Sequence, residues 1–154
     1  MKNLFFKTDN NLASPVLRIP LGIVILVHGV TKLGSGFEPF EQFIVDYMEL
    51  PSIVAYVTVF IETASALMLI LGFATRLNAI AFFGLFTGMI VTVHYAIGFS
   101  MNWNGQLEPG QEGYEYHLLV LAISSALVVL GSGKFSIDRL IETRNENRRI
   151  KAKN

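Results

Sequence analysis

Apolar residues fall into four long blocks separated by short polar breaks. The first runs from about Val16 to Leu33, the second from Ile53 to Phe73, the third from Leu77 to Phe99 and the fourth from about Tyr116 to Leu130. Each approaches the roughly 20 residues that an α-helix needs to cross hydrocarbon. The fourth is shortest and reaches that length only by starting near Gly113 and continuing to Gly131 or Ser132. The pattern predicts an all-α fold, a bundle of four transmembrane helices over residues 15–133. Residues 1–14 form a polar segment with no cleavage-site pattern, so the first block reads as a retained span. Residues 134–154 form a basic tail.

The breaks carry structure of their own. Between Gly36 and Pro51, Phe37, Phe40, Phe43, Ile44, Tyr47 and Met48 recur at helical spacing, with Glu38, Glu41, Asp46 and Glu49 between them. Pro39 suits a first helical turn. This is an amphipathic outer helix, either lying in the interface or folded over the bundle as a lid. Ser100–Gly113, with Asn102, Trp103 and Asn104, reads as an irregular loop turning at Pro109–Gly110. From Ser136 onward, Ile137, Leu140 and Ile141 share one side of a surface helix whose basic end suits anionic headgroups.

Composition supports a membrane location. Apolar residues make up 52% of the chain, charged residues 16%, and the mean hydropathy is +0.49, against about 25% charged in soluble domains. The net charge is zero, but the signs are segregated. Lys2, Lys7, Arg18, Arg76 and the cluster from Lys134 to Lys153 all fall on one side of a four-span arrangement. Only Lys32 falls on the other, beside the acids of the two outer loops. The positive-inside rule then places both termini in the cytoplasm. There is no cysteine, which excludes disulfides, thiolate metal sites and a thiol relay within this chain.

Lipid gives helices no hydrophobic reason to associate, so small residues that let backbones approach become important. Gly22 and Gly29 in the first span, Ala55, Thr58, Ser65 and Ala66 in the second, and Ala81, Gly84 and Gly88 in the third predict packing faces. Arg18 and Arg76 read as inner-face anchors in contact with headgroups.

Glu62 sits in the middle of the second span, on the face of Thr58 and Ser65. A lone carboxylate there costs several kcal/mol unless protonated, paired or facing a wet cavity, and such residues are functional by default. His28 and Lys32 share one face of the first span, and His94 lies near the outer end of the third. Glu115, Tyr116 and His117 open the fourth. At 1.5 Å per residue, His28 and His94 lie roughly 5–8 Å below the outer edge and Glu62 roughly 13 Å below it. These depths predict one polar cluster in the outer half of the bundle.

Several segments together resemble the DoxX family. They are Leu17-Arg18-Ile19-Pro20-Leu21-Gly22 with His28-Gly29-Val30-Thr31-Lys32-Leu33, then Glu62 with Leu71-Gly72-Phe73-Ala74-Thr75-Arg76, then Gly113-Tyr114-Glu115-Tyr116, and finally Gly131-Ser132-Gly133-Lys134-Phe135-Ser136-Ile137-Asp138. The resemblance spans about residues 15–140. It implies a multi-pass bacterial inner-membrane protein of four helices. It also implies a link to membrane redox assemblies, since DoxX-like and DoxD-like proteins include subunits associated with thiosulfate:quinone oxidoreductase.

Three functional readings follow. In the first, the chain is a quinone-linked oxidoreductase subunit. Glu62 handles protons as the catalytic group, and His28, Lys32, Glu62, His94, Glu115, Tyr116 and His117 form the binding set. In the second, it is a non-enzymatic binding or assembly subunit for a lipid, a small molecule or a protein. In the third, His28 and His94 ligate haem, or Glu62 and histidines hold a metal, although no metal-ligand motif is present. The expected contacts are the lipid bilayer, a redox partner protein and a further copy of the chain, with no nucleic acid.

Overall fold

The computed structural model describes residues 8, 10–105, 108 and 111–152. Among the described residues every regular element is helical. The chain forms α1 (Ala13–Gly34), α2 (Phe37–Gln42, continued by a π-helical turn over Phe43–Tyr47), α3 (Ile53–Leu71), α4 (Thr75–Ile97), α5 (Glu115–Leu130) and α6 (Ile137–Lys151). Helices α1, α3 and α4 are long and apolar enough to cross a membrane.

Helix α5 has 16 residues, or about 24 Å at 1.5 Å per residue. It begins at Glu115, two residues after Gly113, which belongs to the preceding loop. A Cβ on Gly113 would stand 2.6 Å from the carbonyl oxygens of Gly98 and Phe99. The Tyr114 and Glu115 amides donate to those same carbonyls at 3.1 and 2.9 Å. The turn expected at Pro109–Gly110 lies outside the described residues.

Helix α1 packs along α3 and α5, and α4 packs along α5. The core joins Leu21 and Ile25 of α1, Ala66 and Leu69 of α3, Phe82 and Phe86 of α4, and Val120 and Leu127 of α5. The glycines of α1 behave as expected. A Cβ would come within 2.6 Å of Ile70 Cγ1 at Gly22 and within 2.7 Å of the Glu62 carbonyl carbon at Gly29. The strip on α4 does not pack. Nothing lies within 4 Å of a Cβ built at Gly84 or Gly88. Helix α4 leans on α5 through the opposite face, where Phe82 and Phe86 are buried, and it leaves a gap towards α3.

Arg18 is not a headgroup anchor. It is fully buried, and its guanidinium staples three segments together. Nε donates to Ser132 O at 3.0 Å, Nη1 to Leu69 O at 3.2 Å and to Ile70 O, and Nη2 to Phe135 O at 2.7 Å and Lys134 O at 3.3 Å. The last carbonyls of α3, which have no partner within the helix, are thereby satisfied. Gly72 ends α3 in the left-handed conformation at φ +67°, as helix C-termini favour. Asp138 accepts from the Ala74 and Thr75 amides at 2.8 and 3.2 Å and so caps α4. Its own amide donates to Gly72 O at 3.1 Å. Ser136, the expected start of the tail, caps α6 by accepting from the Arg139 amide at 3.2 Å.

Candidate functional site

Helices α3 and α4 diverge away from this lock and enclose a cavity of about 720 Å³, within the usual range for small-molecule sites. Gly29 begins its construction by letting α1 touch the α3 backbone at Glu62. One turn further along α1, Lys32 meets the carboxylate, with Nζ 2.5 Å from Glu62 Oε2. The glutamate side chain is 3% exposed and the lysine 22%. Lys32 thus pairs the buried carboxylate. Its ammonium also lies 5.1 Å from the centre of the Phe40 ring, a cation–π distance.

Two π-helical turns shape the walls. One spans Ile61–Ser65 and carries Glu62, and the other spans Ile90–His94 and ends on His94. Each adds a residue to its turn and so re-aims the following side chains, a distortion common at functional sites.

The segment after α1 covers the cavity. Phe40, Phe43, Ile44, Met48 and Leu50 all line it, and Ile44 is buried. The cover is fixed at both ends. Phe37 packs on Tyr56 with ring centres 4.6 Å apart, and Glu41 accepts from the Ser52 hydroxyl. Of the two placements the sequence allowed, this segment takes the one over the bundle.

The far wall comes from α1, α4 and α5. His28 lies 6.4 Å from Tyr116 between ring centres, and His94 lies 4.0 Å from His117. His94 Nδ1 donates to the Glu112 carbonyl at 2.6 Å, leaving Nε2 as an acceptor in the neutral ring. Tyr116 Oη and His117 Nδ1 are buried without a hydrogen-bond partner. A buried polar group left unpaired costs about 1–3 kcal/mol, and both atoms belong to residues that line the cavity.

The structure therefore brings together His28, Lys32, Glu62, His94, Tyr116 and His117. Glu115 is not among them. Its Oε2 accepts from the Met101 amide and from Trp103 Nε1, both at 3.3 Å, and ties the loop before α5 to that helix. Glu112, which no spacing singled out, lines the cavity in its place. Its carboxylate accepts from the Asn102 amide at 2.6 Å. Among the described residues no three His, Asp or Glu side chains converge as a metal-binding group.

The DoxX family model matches residues 14–95. The chain belongs to the DoxX family. The chain is also 31% identical over 137 residues to the protein named "Putative oxidoreductase CatD" of Bacillus subtilis (strain 168), covering 89% of this chain and 92% of that one. No solved structure matches. The matched DoxX region includes Arg18, the Lys32–Glu62 pair, His28 and His94, whereas Tyr116 and His117 lie beyond it.

Proposed function

We propose that this DoxX protein is an inner-membrane subunit of a redox system and binds a quinone in the cavity between α3 and α4. The observation that carries the reading is the pair of buried, unpaired atoms, Tyr116 Oη and His117 Nδ1, on residues that line a mostly apolar cavity beside the Lys32–Glu62 pair. A quinone presents two carbonyl oxygens on an apolar ring and carries electrons together with protons. Tyr116 Oη donates to one such oxygen, and Lys32 Nζ is the cationic donor on the neighbouring wall. Glu62 holds that ammonium in place and is the group proposed to hold and release protons. His117 Nδ1 adds to the polar groups of the far wall, and the cover formed by Phe40–Leu50 excludes water. The name of the Bacillus relative agrees with redox work. With no cysteine in the chain, electrons reach the site from a partner protein.

The same reading takes α5 as a fourth span, both termini as cytoplasmic, residues 15–133 as the membrane domain and residues 134–154 as a basic cytoplasmic tail. The segregation of basic residues supports it, and reporter fusions at each terminus check it. The binding test is purification in mild detergent, followed by extraction and quantification of quinone. Bound quinone that falls on Tyr116→Phe supports the proposal. A quinone-free protein that binds no quinone analogue overturns it and favours an assembly subunit.

A further inference from the structure

Helix α4 carries an anomaly that the ring-binding site does not need. Gly84 and Gly88 cost the helix roughly 0.5–1 kcal/mol each relative to alanine. They give no close helix contact in return, since nothing lies within 4 Å of a Cβ at either position. Both residues are exposed on the bare protein and both line the cavity. They therefore form its mouth, with Val57 across the gap on α3. The missing side chains keep a slot open between two helices that otherwise would close.

The slot is long. Cavity-lining residues on α4 run from Ile80 to His94, about 21 Å at 1.5 Å per residue. The apolar part of one bilayer leaflet is about 15 Å deep. His117, 6% exposed with Nδ1 unpaired, and Tyr116 stand on the α5 wall beside His94 and Phe86. The outer end is roofed by the covering segment. The open direction is sideways, between membrane-spanning helices.

We infer that the site takes an amphiphile with a long hydrocarbon tail. It enters laterally from the lipid between α3 and α4, its ring lodges against Tyr116 and His117, and its tail lies in the Gly84–Gly88 slot. This rests on the quinone-binding reading and adds the ligand class and the route. The tail gains little from leaving lipid for the slot, because both are apolar. The slot acts by admitting molecules already dissolved in the membrane and holding their rings at one depth.

The test uses full-length protein in lipid nanodiscs and two probes: a decyl-tailed substituted benzoquinone, and the same ring with methyl in place of the decyl group. Both are titrated against the wild type and against Gly84→Phe and Gly88→Phe. The tailed probe is expected to lose about tenfold or more in affinity in the variants, the low end for overfilling a packed apolar site. The methyl probe is expected to change less than threefold. A tail-end diazirine version should cross-link to α3 and α4 residues at the slot in unmodified protein, so the inference stays testable if a variant misfolds. Equal behaviour of both probes in every variant, with cross-links spread over lipid-facing residues, overturns the lateral route while leaving ring binding intact. Cross-links that join two copies of the chain through this face overturn it as well. Failure of both probes to bind wild type rejects the underlying quinone reading.

Discussion

Removing the Lys32 ammonium leaves the Glu62 carboxylate, 3% exposed, without its 2.5 Å partner. Breaking a buried ion pair from one side costs about 3–5 kcal/mol. An upper bound comes from neutralising the acid instead. An ordinary glutamate titrates roughly 2.7 units below neutrality, and at 1.36 kcal/mol per unit its protonation costs about 3.7 kcal/mol. Lys32→Met is therefore expected to destabilise by about 3 kcal/mol. Glu62→Gln should cost only about 1 kcal/mol. The amide oxygen still accepts from Nζ, and the more exposed lysine can turn its ammonium outward along a flexible stem. The double variant Lys32→Met/Glu62→Gln should fall near the milder single variant, giving a coupling of about 3 kcal/mol. Unfolding in mixed micelles with increasing SDS, followed by helical circular dichroism, measures all four corners. If Lys32→Met is no worse than Glu62→Gln, or the coupling is below about 0.5 kcal/mol, the two groups do not form the buried pair described.

Gly29→Ala is expected to destabilise by about 1–3 kcal/mol through overpacking against the α3 backbone at Glu62, whereas Gly84→Ala should raise stability by up to about 1 kcal/mol; thermal melts in detergent distinguish them. Tyr116→Phe removes a buried hydroxyl that lacks a partner, so ligand-free protein should be more stable by about 1 kcal/mol while bound quinone falls, and lower stability together with unchanged binding would count against the site. Glu62→Gln should keep the fold and lower any proton-coupled turnover measured in reconstituted membranes. Burial pushes the Asp138 carboxyl above its ordinary value of 3.8, opposed by the Ala74 and Thr75 amides. Its contribution to stability is therefore fully present below about pH 3.9 and lost as pH rises through the folded-state value. The stability difference between wild type and Asp138→Asn should shrink correspondingly with rising pH, and a flat difference refutes that assignment.

Helix existence was legible because the apolar blocks are long and unbroken. The π-helical turns were not, because a one-residue bulge leaves hydrophobic periodicity almost intact. Depth along the helices put the histidines and Glu62 in the same half of the bundle, and together with Tyr116 they line one cavity. The Lys32–Glu62 contact depends on how α1 rotates against α3, which no spacing within either helix records. The lone lysine among outer acids was the available clue. Glu115 and Glu112 exchange roles because the loop between α4 and α5 folds back on α5, a matter of loop geometry. The strip at Gly84 and Gly88 has the pattern of a packing motif and lines an opening instead. Small residues permit close approach without requiring it. Arg18 followed a similar course: its place near the helix start fits a headgroup anchor, but the carbonyls it bonds arrive from segments more than fifty residues away.

The most direct test is a structure of the protein in lipid with a tailed quinone present. Non-protein density should fill the space between α3 and α4, with a carbonyl oxygen within hydrogen-bonding distance of Tyr116 Oη and a tail running past Gly84. Closure of α3 onto α4 with no such density, or a Glu62 carboxylate turned towards lipid and away from Lys32, would contradict it.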